Sequence, residues 1–105
     1  MNIVLNVANE FHKRPAGRVV SDGPYNGERF RDEFLRPKLN QAIEIGCKLV
    51  VDFTGATMAG SSFLEESFGG LVRAGFDKRV LKSFLIIKSD RKVIVDSIES
   101  YINTA

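Results

Sequence analysis

The stretch that decides the fold is Val50 to Phe76, VVDFTGATMAGSSFLEESFGGLVRAGF. It reads as a buried strand running through a loop into a helix. The expected strand is Lys48 to Phe53, because Leu49, Val50 and Val51 are apolar on consecutive positions, as in a parallel or mixed sheet covered on both faces. Asp52 stands at its carboxyl end. Thr54 to Thr57 is small and polar, as a loop requires, and Ser61-Ser62 precedes Leu64, Phe68, Leu71, Val72 and Phe76 at helical spacing. Ser62 and Glu65 have capping-box spacing, in which each side chain takes a backbone N–H of the other. On this reading Ser62 is the N-cap, and Ser61 lies just outside the helix with an uncommitted hydroxyl.

On the amino-terminal side, residues 2 to 8 alternate, with Ile3, Leu5 and Val7 to one side, which suits a strand with one buried face. Pro15 and Gly17 bound a second short strand, Arg18 to Val20, expected as the antiparallel return of the first. His12-Lys13-Arg14 falls in the connection and is expected as a solvated loop. Gly23-Pro24 and Asn26-Gly27 punctuate the loop that delivers the chain into the first long helix, with Asn26 as its N-cap. That helix carries Phe30, Phe34, Leu35, Leu39, Ala42 and Ile43, is kinked or restarted at Pro37, and stops at Gly46.

On the carboxyl side, Asp77 to Lys82 reads as a charged connection. Phe84 to Ile87 forms another consecutively apolar run, expected as an interior strand parallel to Leu49–Val51. Ser89 or Asp90 then caps a last helix with Ile94, Ile98, Tyr101 and Ile102 on one face. The fold class is α/β: a sandwich with a mixed four-stranded sheet, an antiparallel N-terminal hairpin, parallel later strands and about three helices.

Length and composition hold this to one domain over residues 1 to 105. Fifteen basic and thirteen acidic residues are interspersed, so no basic stripe for nucleic acid exists. The single Cys47 makes no internal disulfide, and no apolar run approaches the length of a membrane span, so a cytoplasmic protein is expected. One cysteine and one histidine build neither a structural zinc site nor a Ser-His-Asp triad, and nothing in the sequence calls for a cofactor or a metal.

Glu65 and Glu66 are neighbours on a helix and point about 100° apart, which disfavours a shared-proton dyad; acidic side chains there favour the positive end of the helix dipole. Gly69-Gly70 in mid-helix costs on the order of 1 kcal/mol per glycine relative to alanine. Close packing is expected to need the missing side chains, either on the protein's own sheet or on a partner. The Asp22 to Gly27 loop offers glycines at a helix start, as a phosphate cradle does, but has neither the P-loop ending nor dinucleotide spacing. Asp52 lies where open α/β sheets place ligands, or else organises the loop after it.

The apolar strand ending in Asp52, the short loop and the Ser61-Ser62 pair resemble the STAS superfamily, the sulfate-transporter and anti-sigma-factor-antagonist domains. DGPYNGERFR at 22 to 31 and SSFLEESFGGLVRAGF at 61 to 76 resemble more closely the STAS-like domain family of unknown function. The similarity covers about residues 17 to 90. The antagonists usually carry Asp directly before the acceptor serine, where Gly60 stands here, and small residues after the pair, where Phe63 stands. The resemblance implies a non-enzymatic regulatory module that docks a protein partner through the loop and helix from 54 to 73. Thr57, Gly60, Ser61, Ser62, Phe63, Glu66, Gly69, Gly70 and Arg73 would form the contact, and Ser61 would be the phosphoacceptor. The partner it implies is a kinase of the histidine-kinase-like ATPase type, or another regulatory protein. A second reading, from the residues, is a small-ligand or nucleotide site built from Asp22, Gly23, Asn26, Gly27 and Asp52.

Overall fold

Three parallel strands carry the fold: β1 (Ile3–Asn6), β2 (Leu49–Asp52) and β3 (Leu85–Lys88), in the order β1-β2-β3. The computed structural model describes residues 1–105. Its helices are α1 (Val7–Glu10), α2 (27–45), α3 (61–73), α4 (Lys78–Phe84) and α5 (Lys92–Thr104). Leu49 pairs with Ile3 on one side and Leu85 on the other, and Val51 with Leu5 and Ile87.

The sheet is therefore all parallel and three-stranded, with five helices, instead of the expected mixed sheet of four strands with an antiparallel hairpin and about three helices. Local hydrogen bonding explains the missing return strand. Asn6 ends β1 by capping α1, its Oδ1 accepting from the N–H of Asn9 at 2.9 Å. At the expected second strand, Asp22 Oδ2 accepts the N–H groups of Arg18 at 2.9 Å and Val19 at 3.2 Å, so the backbone curls into a 3₁₀ turn, Val20–Asp22. A side chain has taken donors that a ladder would need. Val20 is accordingly 75% exposed.

The connection read from Asp77 to Lys82 is largely helix α4, started by Asp77, whose Oδ1 accepts from Arg79 N–H at 2.7 Å. Pro37 does not break α2. A π-helical stretch, Arg31–Leu35, precedes the α-helical Arg36–Ile45, and this wider turn accommodates the proline. A matching π-helical stretch, Glu65–Gly69, lies within α3 and packs against the one in α2.

The core lies on one face of the sheet. Leu5, Leu49 and Val51 meet Phe30, Leu35 and Leu39 of α2, Phe63, Phe68 and Leu71 of α3, and Ile94, Ile98 and Ile102 of α5. Phe63 stands in an aromatic group, its ring 5.3 Å from that of Phe30 and 6.0 Å from that of Phe11. The other face carries the in-register row Val4, Val50 and Ile86, of which Val4 is 54% and Ile86 38% exposed. β2 is interior as expected and β3 is parallel to it, but β3 is an edge strand, not an interior one.

Candidate functional site

The helix that carries Ser61 begins two residues earlier than its capping pattern suggested. Ser61 and Ser62 are the first two residues of α3, and the N-cap is Gly60, with extended backbone at φ −64° and ψ 146°. Glycine has no side chain to close the cap, so both serines stand exposed in the first turn and neither forms the expected capping box. Glu65 does not reach back to Ser62 because two arginines hold it. Arg18 Nη1 donates to Glu65 Oε1 at 2.7 Å, and Arg73 donates to both Glu65 carboxylate oxygens at 2.9 Å.

Glu66 is held in the same way from α2. Arg31 Nη1 donates to Glu66 Oε2 at 2.6 Å and to its backbone carbonyl at 3.3 Å, while its Nε donates to Asp32 Oδ1 at 2.9 Å. Three arginines thus alternate with three carboxylates along the outer surface of α3. The bidentate Arg73 grip, with help from Arg18, holds the Glu65 carboxyl below the usual carboxylate range. Asp32 is lowered by Arg31.

This network accounts for the glycine pair. A Cβ on Gly70 would lie 2.6 Å from Arg31 Nη1 and 3.0 Å from its Cδ, and one on Gly69 would press on the Glu65 carboxylate and on Arg73. Both glycines are buried beneath these side chains, so the close packing expected of them is met from within the chain. Phe63 is fully buried and belongs to the core, which removes it from any docking surface of this conformation.

The two sequence motifs meet in space. A Cβ on Gly27 would lie 2.7 Å from the carbonyl oxygen of Phe63 and 2.8 Å from Glu66 Cβ, so the start of α2 lies directly on the first turns of α3. The buried Ser67 hydroxyl donates across that contact to the Gly27 carbonyl at 3.4 Å. Asn26 is the N-cap the sequence announced, its Oδ1 accepting from Arg29 N–H at 2.9 Å. The phosphate-cradle reading loses its donors here, however. Gly27 N–H goes to the Gly17 carbonyl, Glu28 N–H to the Arg18 carbonyl, Arg29 N–H to Asn26 and Gly23 N–H to the Val20 carbonyl. Asp22 is committed to Arg18 and Val19, which lowers its pKa. Asp52 accepts from Thr54 N–H at 2.9 Å and lies 3.9 Å from Lys88 Nζ; its pKa is lowered mainly by Thr54. It organises its own loop, and none of these partners belongs to the Asp22 to Gly27 segment.

What the site does offer is a shallow pocket between two loops, lined by Ala16, Gly17, Arg18, Asp22, Gly60, Ser61 and Ser62. Gly60 N–H bonds the Pro15 carbonyl at 3.1 Å and Thr57 N–H the Lys13 carbonyl at 2.9 Å, which fixes the loop before α3 against the segment after α1. Thr57 and Met58 remain exposed beside it. Arg18 was not a candidate from sequence. Its role depends on a partner 47 residues away, for which no local spacing exists.

An α/β module with a serine pair opening the helix after its central strand is the class this geometry defines. The family model of the STAS-like domain of unknown function matches residues 26–96, and the chain belongs to that family. No curated protein and no solved structure matches the chain. No helix is long and apolar enough to cross a membrane.

Proposed function

We propose that the chain is a non-enzymatic regulatory interaction module of STAS type, which docks a protein partner at the Ser61 end of α3 and is switched by phosphorylation of Ser61. The observation that carries this reading is an exposed serine in the first turn of a long helix whose N-cap is Gly60. The hydroxyl is accessible to a kinase. The adjoining helix N–H groups lack a side-chain cap and favour an anion. Arg18 lines the same pocket, so a phosphate on Ser61 meets a guanidinium as well. Glu65 lies one turn further on the same helix face, yet Arg18 and Arg73 already neutralise it, which limits repulsion.

The docking surface is Thr57, Gly60, Ser61, Ser62 and the outer edge of the arginine network at Glu66 and Arg73. Exposed Met58 and Val19 add apolar area next to it. The partner implied by the family's kinship to the antagonists is an ATP-binding kinase of the histidine-kinase-like type. A phosphate would set a bulky, desolvated charge in that contact and release the partner. Co-purification with candidate ATPases encoded beside it tests this: Ser61→Ala should hold the partner, and Ser61→Asp should release it with little change in melting temperature. Equal binding of both variants and the parent would remove Ser61 from the interface.

A further inference from the structure

The sheet stops one strand short of the helices that cover it. β3 is an edge strand, and α5 overhangs its open side to leave an apolar groove of about 540 Å³ along that edge. Leu81, Leu85, Ile87, Val95, Ile98 and Ile102 line it. The backbone of β3 is open on the same side. Lys88 O accepts from Phe53 N–H on the β2 side at 2.9 Å, and successive residues of a strand alternate in direction, so the N–H and C=O of Ile87 and the C=O of Leu85 point into the groove. Edge backbone and an apolar trough together are what an added strand requires. The opposite edge is different: at β1 the outward N–H of Asn6 is closed by Glu10 Oε2 at 2.7 Å.

We propose that an extended segment of a protein partner adds to β3 as a fourth strand under α5, with apolar side chains at alternate positions and acidic residues at its flanks. The charge preference comes from the segment Asp77 to Lys92, which holds the strand and has six basic residues, Lys78, Arg79, Lys82, Lys88, Arg91 and Lys92, against Asp77 and Asp90, while α5 sets one acid, Glu99, on the groove wall. Lys82 lines the groove near the start of β3, and the exposed Lys88 stands at its end. A second copy of this chain is a poorer occupant, because two β3 edges paired about a two-fold axis would set the same basic flanks against each other. The surface is separate from Ser61, so its test stands or falls independently of the phosphorylation switch.

The test is amide NMR on the ¹⁵N-labelled full chain, at low salt, with a peptide of alternating valine and threonine flanked by aspartates. The proposal expects shifts confined to Leu85–Lys88 and to the residues of α5 that face the groove, with Ile87 N–H gaining protection from exchange. Lys82→Glu changes one exposed side chain that holds no ion pair, so the parent spectrum should be kept while affinity falls roughly threefold. A lysine-flanked peptide of the same core should bind more weakly than the acidic one. The proposal is overturned by an unmoved Ile87, by equal binding of both peptides, or by the same shifts arising when the protein alone is concentrated, which would signify self-pairing.

Discussion

Arg31 reaches Glu66 across the bare backbone of Gly70: its Nη1 lies 2.6 Å from Glu66 Oε2, and there is no room there for a methyl group. The glycine in α3 and the arginine in α2 are therefore one device. It joins the two long helices at their π-helical turns, where Arg31 opens one and Glu66 sits in the other.

Coupling between these positions follows. Arg31→Ala should cost about 1–3 kcal/mol, because it leaves the largely buried Glu66 carboxylate without its charged donor. Gly70→Ala gains about 1 kcal/mol of helix propensity and loses a similar amount by displacing Arg31, so its net effect should be small. In the Gly70→Ala background, Arg31→Ala should cost less than half of what it costs in the parent. Equal costs in urea melts would mean that the guanidinium avoids the new methyl without giving up Glu66.

At the start of α3, Ser61→Ala and Ser62→Ala should each change stability by less than about 0.5 kcal/mol, since neither hydroxyl caps the helix. Gly60→Asp should instead stabilise by a few tenths to about 1 kcal/mol, because the backbone there is already extended and a Cβ meets nothing closer than Ala16 at 3.6 Å. A loss of about 1 kcal/mol for Ser62→Ala alone would reinstate the capping box.

That misplacement shows what could be read from sequence. Asn26 and Gly46 were legible because a cap is a local contract between neighbours; Gly46 indeed takes φ +83°. Ser62-x-x-Glu65 carried the same signal, but Arg18 and Arg73, distant in sequence, had taken the glutamate. The run Phe84 to Ile87 announced a parallel strand correctly, although Phe84 itself closes α4 and the strand begins at Leu85. It could not reveal that one flank faces a groove instead of another strand, because apolar residues serve either purpose. The return strand at Arg18 to Val20 failed because Asp22 took its N–H groups, a competition that alternation of side chains does not report.

Acid should weaken the fold through Glu65 and Asp32. Both carboxyls titrate below their ordinary range when folded, so their stabilisation is complete above the unfolded values near pH 4 and is lost as pH falls through the lower folded values. Glu65→Gln should therefore be less stable than the parent at pH 7, and the gap should narrow steadily below pH 4. Thermal melts of the two proteins that stay parallel from pH 7 to pH 3 would show that Arg73 and Arg18 contribute nothing through that carboxylate.

Phe63→Ala should be the most damaging single change in the α2–α3 contact, at about 3–5 kcal/mol, because the ring is fully buried among Phe11 and Phe30. Its loss of stability should be the same with and without a partner. A partner-specific effect at unchanged stability would return Phe63 to the docking surface.

The central claim is that Ser61 is the modified residue of a regulatory module. Phosphosite mapping by mass spectrometry tests it most directly, on the protein incubated with ATP and the candidate ATPases and on a Ser61→Ala control. The account predicts phosphate on Ser61 in the parent and none on the control, Ser62 included. Phosphate on Ser62 or elsewhere with Ser61 unmodified, or no incorporation by an ATPase that binds the protein, would contradict it.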